Sequence, residues 1–411
     1  MKTLLAGIAI AIPLLSAAAT SRAADNDVVN TQTQSGDITA TQTLDVDTVT
    51  DTTTAGTTAT GNSVSAQAVS GSIDVQSTQS MQANATATTT LNVTTDSAAT
   101  TMTTTATGNT SEADTLGGGP LTGNLEQDTS AVTISTENQL NAATAQASGD
   151  VSVTSQAIAN TQGVAADAGA ASVSIVQTSD AQTQADSGAT LQYSPGTGTF
   201  SSLAISNNVT ATGTNGAEQT LTVNQTMTGA MTQATQFLDF GNIQTVTNAA
   251  TATGNNVTVN NEGDLLDLTT TQDNESYLRA QAETTAYEFG SSAVTAMGVG
   301  NSVIAGETGA QINLNNNQIN MGGGIEVIAN SAGTQGYDIS GSATAMANAV
   351  TGFACSDCGG KMTINNTQLN GVGVSATTSV SLAPGGSART VTGVATAVGN
   401  SATFYVSKPS S

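Results

Sequence analysis

Few residues in this sequence could carry out chemistry, because it contains no histidine. A Ser-His-Asp triad, a Cys-His pair and a histidine-ligated zinc are therefore all excluded. Paired carboxylates remain, since Asp45, Asp47 and Asp51 fall close together, as do Asp264 and Asp267. Two carboxylates could act as the acid and base of a glycosidase. A sugar-cleaving groove usually offers aromatic platforms, however, and the chain has no Trp and only 5 Tyr. We therefore predict that these aspartates are solvated strand edges and that the protein is not an enzyme.

The same aspartates are candidate ligands of a cation. Calcium takes several carboxylate and carbonyl oxygens. Neither the EF-hand loop nor the Gly-Gly-x-Gly-x-Asp repeat occurs in the sequence. We expect no cofactor, with Ca²⁺ left open as the alternative.

The only two cysteines, Cys355 and Cys358, form a CxxC motif that is followed by two glycines. In a cytosolic oxidoreductase this motif would suggest redox activity. Zinc would need two more ligands, and the chain offers neither His nor further Cys. In an exported protein we expect a disulfide that staples a turn; a redox role, or neither, stays open.

The first 23 residues predict export. Lys2 precedes an apolar run from Leu4 to Leu15, and small residues then allow cleavage after Ala19 or Ala23. No cysteine lies near these positions and no second stretch reaches about 20 apolar residues, so we expect neither a lipid anchor nor a transmembrane helix. The predicted location is the cell surface, in association with the outer membrane.

The charge of the chain excludes nucleic acid as a partner. Removal of residues 1–23 takes away Lys2 and Arg22 and no acid, so the formal charge falls from −24 to −26. Nucleic-acid binding needs clustered cations. Four scattered cations remain after cleavage: Arg279, Lys361, Arg389 and Lys408.

A short signature recurs along the chain, with small or β-branched residues at alternate positions, then Gly, Ala or Ser, then Asn. The spacings are 47, 51, 47, 48, 46, 47 and 52 residues, which is a regular repeat. Low charge (9%) and few aromatics (3%) would also suit disorder, but the repeat favours a stacked fold. The eight copies end at the repeat corners Asn62, Asn109, Asn160, Asn207, Asn255, Asn301, Asn348 and Asn400.

Each repeat carries a second arm, in which an alternating apolar run leads into Gln or Asn, as from Ile73 to Gln79. Both arms alternate with period two, which is typical of strands, and Thr and Val favour that conformation. Only residues 275–288 hold good helix formers, and Thr-Thr interrupts them, so we predict strand there too. We expect Gly-Asn to turn a corner because both residues tolerate positive φ. Stacked Asn and Gln would then form amide ladders; a ligand-binding role for the Asn rows is the alternative.

These patterns predict an all-β repeat array, a β-solenoid (β-helix) of about eight repeats near 47 residues each. We expect two coils per repeat, because about 23 residues is a common coil size, and hence a rod on the order of 75 Å. The predicted boundaries are a signal peptide at 1–23, a lead-in or cap at 24–58, the β-repeat array at 59–407 and a frayed tail at 408–411. Residues 117–120 and 194–196 are predicted loops that absorb the longer spacings.

The repeats that read ATATGNN around Asn255, AMGVGNSV around Asn301 and ATAVGNSATF around Asn400 resemble the holdfast anchor proteins of stalked alphaproteobacteria, of the HfaD type. This resemblance implies a protein at the outer membrane that helps to anchor the adhesive holdfast polysaccharide to the cell. It also implies two protein partners, a curli-secretion-like outer-membrane lipoprotein pore and a small amyloid-like anchor protein.

Three functions are therefore compared. The first is a holdfast anchor that works as an exported structural or adhesion protein. The second is a self-assembling surface fibre or surface-layer subunit, with self-association through exposed end strands. The third is a β-helical polysaccharide-active enzyme, which the missing His and Trp disfavour.

Overall fold

A computed structural model describes residues 26–355 and 360–407. Within these ranges the regular secondary structure consists of strands, eighteen in all, without a helix. The strands alternate between a short one of 9 or 10 residues and a long stretch of about three times that length. The prediction of strand over residues 275–288 is confirmed, because most of that segment lies in a long strand.

The short strands form one parallel sheet, in the order in which they occur along the chain. They are β1 (Asn26–Gln34), β3 (Ile73–Met81), β5 (Leu121–Thr129), β8 (Ala171–Ser179), β10 (Gln219–Met227), β12 (Leu265–Asn274), β14 (Gln311–Asn320) and β16 (Lys361–Asn370).

The long stretches form a second parallel sheet. They are β2 (Ile38–Val69), β4 (Ala85–Leu116), the pair β6 (Thr133–Ala147) and β7 (Val151–Asp167), β9 (Gln182–Thr214), β11 (Met231–Asn261), β13 (Tyr277–Glu307), β15 (Ile325–Cys355), and the pair β17 (Val374–Ser387) and β18 (Thr390–Ser407).

One short strand and the long stretch after it make one coil, and eight coils are stacked in parallel register as a β-solenoid. Asn26 of β1 pairs with Ile73 of β3, and Asn62 of β2 pairs with Asn109 of β4, so one turn of the stack takes about 47 residues. The expectation of two coils per repeat is therefore wrong. The two arms of a repeat face each other across one coil and do not lie on top of each other, so the eight coils span about 38 Å at 4.8 Å per strand.

The corner before each repeat asparagine is a shift in side-chain alternation, not a turn with positive φ. Gly61 and Asn62 are both buried, whereas their neighbours alternate, so the strand changes direction with two successive residues inside. In the described residues, positive φ occurs at other positions, such as Ser70 and Gly117 in the turns after the long strands. The predicted dihedral reason for Gly-Asn was thus wrong. Glycine fits here because the backbone of the next coil approaches closely: a Cβ on Gly254 would lie 2.5 Å from the carbonyl oxygen of Gly300.

The core runs along the stack in three rows. Between the short strands and the last part of the long strands lie branched residues such as Val75 and Leu221. The middle row consists mostly of alanine, and the third row, at the far end of the coil, holds larger side chains such as Leu91 and Phe200. Burial of an alanine methyl group contributes only about 0.8 kcal/mol to the free energy of folding. Cohesion in the middle row therefore depends on the backbone ladders that join the coils.

Several predicted boundaries can now be located. Residues 26–58, within the predicted lead-in, form β1 and the first part of β2, and they pair in register with coil 2. The predicted loop at 117–120 is the turn between β4 and β5. Residues 194–196 are not a loop: they lie inside β9, where a β-bulge absorbs the additional residue. The predicted signal peptide and the tail at 408–411 lie outside the described residues.

Candidate functional site

The eight repeat asparagines occupy one position of successive coils, and their side chains form a continuous ladder. Each side-chain amide nitrogen donates a hydrogen bond to the side-chain oxygen of the asparagine in the next coil, at 2.8 or 2.9 Å. The six internal members, from Asn109 to Asn348, are fully buried. Buried amides in such a row are satisfied by their own repetition.

The same asparagines also tie the two sheets together. The second N–H of Asn207 donates to the main-chain carbonyl oxygen of Thr226 in the short strand, at 3.0 Å. Equivalent bonds are made in the other coils, for example from Asn301 to the carbonyl oxygen of Ile319 at 2.7 Å. The repeat asparagine therefore fixes both the spacing between coils and the width of each coil.

A glutamine ladder runs beside the asparagine ladder, from the short strands. Each glutamine donates to the side-chain oxygen of the glutamine in the preceding coil, at 2.7 or 2.8 Å. Its second N–H donates to the main-chain carbonyl of the residue after the corner asparagine, as Gln177 does to Asn208 at 3.0 Å. The members are Gln32, Gln79, Gln127, Gln177, Gln225, Gln272, Gln318 and Gln368.

The two ladders have opposite polarity. Asparagines donate toward the C-terminal coil and glutamines donate toward the N-terminal coil. Amide dipoles aligned in one row would add up along the stack, as peptide dipoles do in a helix. The axial dipoles of two opposed rows cancel, so both rows can be buried side by side without a net dipole along the stack.

The aspartates considered for catalysis or metal binding do not form a site. Asp45 and Asp47 are exposed on β2, where they accept hydrogen bonds from Asn92 and Thr95 of the next coil at 2.6 and 2.5 Å. Asp51 is exposed as well. In residues 26–355 and 360–407, no three His, Cys, Asp or Glu side chains lie together in a way that could hold a metal ion.

Cys355 is buried at the end of β15, and its carbonyl oxygen accepts a hydrogen bond from the amide of Gly360 at 3.0 Å. Cys358 lies outside the described residues, so the disulfide between Cys355 and Cys358 stays a prediction.

Burial raises the pKa values of Asp114 and Glu307. Partial burial, with a contribution from neighbouring Glu112, raises the pKa of Asp114 on β4 to about 6. Burial also raises the pKa of Glu307, which accepts hydrogen bonds from the side chain of Asn261 at 2.8 Å and the amide of Gly309 at 2.5 Å. The groups that act on these acids belong to the same or the adjacent coil: Glu112 and Gln67 for Asp114, and Asn261, Gly309 and Asp264 for Glu307.

The outer face of the long strands carries a polar groove of about 660 Å³ that crosses coils 3 to 6. Four carboxylates line it, with Arg279 as the cation and Phe237 as an exposed ring. Burial raises the pKa of one of these acids, Asp186. The other lining carboxylates are Glu137, Asp239 and Glu283. This set of amides, carboxylates and one ring can hydrogen-bond a sugar hydroxyl, but the groove is open and offers no enclosed reaction site.

The family of holdfast attachment protein D has a model that matches residues 47–324, which is more than half of the 411 residues. The chain belongs to this family. The match extends from Asp47 in β2 to the residue before β15, so it covers most of the first six coils. The resemblance seen in the repeats is thereby confirmed. No curated protein and no solved structure matches the chain.

Membership of a family of holdfast attachment proteins suggests a cell-surface location and a structural role. Among the described residues, no helix has the length and apolar character needed to cross a membrane. Sequence reasoning did not find the groove of this family member, because its residues come from four different repeats. The one available signal was Arg279, which is among the few cations of the chain.

Proposed function

We propose that this chain helps to fasten the adhesive holdfast polysaccharide to the outer membrane, without catalysis. The observation that carries the proposal is the outer face of the stack, where polar side chains repeat at strand spacing. Asn141 donates to Asn92 at 2.8 Å and Asn92 donates to Asp45 at 2.6 Å, so one exposed row runs over the first three coils.

Such rows favour binding by area. A hydrogen bond to one sugar hydroxyl contributes about 0.5–1.5 kcal/mol net. Repetition at about 4.8 Å raises the effective concentration for the next contact along a polymer. The groove around Arg279 forms a concave part of this surface, with a volume of about 660 Å³. The exposed ring of Phe237 gives it an apolar contact for a sugar ring.

The protein partners follow from the family. We propose that an outer-membrane lipoprotein pore of the curli-secretion type exports the chain, and that a small amyloid-like anchor protein accompanies it on the surface. Within the described residues the end strands of the stack pair on one side only, and this supports such partners because open edges accept further strands.

Whole-coil deletions test whether binding is distributed along the stack. Deletion of residues 73–120 joins Ser72 to Leu121 and keeps the register, because Ile73 pairs with Leu121. Deletion of 219–265 joins Glu218 to Leu266 and likewise keeps the register, because Gln219 pairs with Leu266. We expect both deletions to weaken attachment of cells under shear to a similar, partial extent. The second removes part of the groove and the first does not.

A point variant completes the test. Arg279→Ala should leave attachment close to that of the parent chain, because distributed contacts do not depend on one side chain. If this variant or the deletion of 219–265 abolished attachment while the deletion of 73–120 had no effect, a discrete sugar site in the groove would replace the distributed account. Surface display of each variant, checked by antibody labelling, separates loss of binding from loss of export.

A further inference from the structure

The two ends of the stack are open in the described residues. β1 and β2 of coil 1 pair only with coil 2, and the strands of coil 8 pair only with coil 7. Inward side chains that are buried in the middle coils are only partly buried at the ends, among them Val28, Leu44, Ile364 and Val380. Each end therefore exposes a backbone edge and a cross-section of the core.

The ladders leave complementary groups at these two ends. At the C-terminal end, an amide N–H of Asn400 and the side-chain oxygen of Gln368 have no further rung. At the N-terminal end, Asn62 presents a free side-chain oxygen and Gln32 an amide N–H. Because each ladder donates in a single direction, the donor left at one end of a row matches the acceptor left at its other end.

The core positions of the two ends also match in register. Through the successive strand pairings, each position in the short strand of coil 8 corresponds to one position in the short strand of coil 1. The long strands of the two coils correspond in the same way. These correspondences define which residues of coil 8 would lie over coil 1 of another copy. The resulting apolar pairs include Ile364 over Val28, Val374 over Ile38 and Val380 over Leu44. Apolar side chains would thus continue the rows of the core across such a junction.

The charges of the two ends are opposite. Coil 1 contains no cation and five aspartates, whereas coil 8 contains no acid. Coil 8 carries Lys361 and Arg389, two of the four cations left after removal of residues 1–23. The aspartates of coil 1 are Asp27, Asp37, Asp45, Asp47 and Asp51. In a chain with 30 acids, this concentration of cations at one end makes the two ends electrostatically complementary.

The register brings particular charges together. The pairing places Val391 over Thr53 of the next copy, and this brings Arg389 and Asp51, each two residues earlier, to the same corner of the facing coils. Within its own chain Arg389 is paired with Asp338, so a second carboxylate would meet it from the opposite side. Lys361, on the exposed face of β16, would lie two positions along the strand from Asp27 of the next copy, within reach of its side chain.

We propose that copies of this chain stack head to tail, with coil 8 of one copy on coil 1 of the next, so that the solenoid and both ladders continue through the junction. Such a contact uses two different surfaces and does not close, so it generates a filament. The inference goes beyond the proposed attachment function, and its test measures association in solution and not adhesion.

A charge-swap experiment tests the junction on the full chain without residues 1–23. Lys361→Glu with Arg389→Glu makes both ends acidic. Asp27→Lys with Asp51→Arg reverses the facing charges of the other end; neither aspartate makes a side-chain hydrogen bond or ion pair in the described structure. We expect the parent chain to associate with rising concentration in analytical ultracentrifugation, and each double variant to need at least roughly tenfold more protein. An equimolar mixture of the two variants should associate again.

The control is Arg279→Glu, which makes the same type of charge change in coil 6 and should leave association unchanged. Electron micrographs should show filaments with a subunit repeat of about 38 Å, the height of eight coils. Circular dichroism confirms that each variant is folded. Three results would overturn the proposal: a parent chain that stays monomeric at all concentrations, double variants that associate as well as the parent, or a mixture that does not recover.

Discussion

Gln177 and Asn207 belong to one coil and donate their ladder hydrogen bonds in opposite directions. Gln177 donates to Gln127 of the preceding coil at 2.8 Å, and Asn207 donates to Asn255 of the following coil at 2.9 Å. Gln177 also donates to the carbonyl oxygen of Asn208, the residue that follows Asn207 in the same coil. Each coil is therefore held to both neighbours by buried side-chain amides as well as by its backbone.

Removal of one internal asparagine should be costly. Asn207→Ala deletes three buried hydrogen bonds: one N–H of Asn160 loses its acceptor, and the side-chain oxygen of Asn255 and the carbonyl oxygen of Thr226 each lose a donor. We expect a loss of about 2–4 kcal/mol in the free energy of unfolding, measured by chemical denaturation. The matched control is Asn208→Ala at the next position, which is only partly buried and lies outside the ladder. A control loss as large as that of Asn207→Ala would contradict the importance of the ladder.

The glutamine ladder predicts a pH-dependent effect of one substitution. Gln225 donates two hydrogen bonds, to Gln177 at 2.8 Å and to the carbonyl of Asn256 at 2.9 Å. Gln225→Glu replaces both donors by carboxylate oxygen in a buried site, and burial raises the pKa of such a carboxyl. The loss of stability caused by the buried charge is fully present above the carboxyl pKa of the folded state. It disappears as the pH falls below the carboxyl pKa of the unfolded state.

As the pH is lowered from neutral to about 4, the melting temperature of Gln225→Glu should therefore rise toward that of the parent chain. Gln225→Leu loses the same hydrogen bonds without adding a charge, and its deficit should not change with pH. Equal pH profiles for the two variants would show that position 225 is not desolvated in solution.

Asp114 makes the stability of the native chain depend on pH in a similar way. Burial raises its pKa to about 6 from the ordinary aspartate value of 3.8, so the folded state binds the proton more tightly than the unfolded state. Its contribution destabilises the fold above pH 6 and is removed as the pH falls toward 4. Because the group is only partly buried, we expect an effect on the order of 1 kcal/mol. Asp114→Asn should raise the melting temperature at pH 7.5 and have little effect at pH 4.

The close approach at the corners predicts a graded response to side-chain size. A Cβ on Gly254 would lie 2.5 Å from the carbonyl oxygen of Gly300. The equivalent position holds Ala159, Ser206 or Ala347 in other coils, so the backbone can adjust to a small side chain. We expect the free energy of unfolding to fall by about 1 kcal/mol in Gly254→Ala and by about 3 kcal/mol in Gly254→Val, because overpacking here forces backbone shifts. Similar denaturation midpoints for the two variants would contradict the steric account.

The sequence could predict the strands, the repeat and the alignment of the eight asparagines, because these depend on local alternation and a constant period. It could not distinguish two stacked coils from one wide coil. Both arrangements bury alternate residues, and the choice depends on whether the short arm faces the long arm or lies on it. The pairing of Asn26 with Ile73, a full period away, is what decides.

The corner geometry was missed for a related reason. Gly-Asn has the composition of a turn with positive φ, and sequence patterns do not show that the corner keeps an extended backbone. Only the consecutive burial of Gly61 and Asn62 shows it. The outer groove depends on neighbours about 47 residues apart, such as Glu137 and Asp186, whose proximity no local pattern predicts.

One wide coil per repeat also determines how the molecule would yield to a pulling force. A coil occupies about 4.8 Å along the stack, yet it contains about 47 residues. Fully extended, that length of chain reaches roughly 155 Å at 3.3 Å per residue. An end coil has a neighbour on one side only, so tension applied to a terminus peels coils one after another from the end. Each step lengthens the tether about thirtyfold relative to the height of the coil it removes and dissipates the work of breaking one layer of hydrogen bonds. The middle coils, where both ladders are complete, are the last to open.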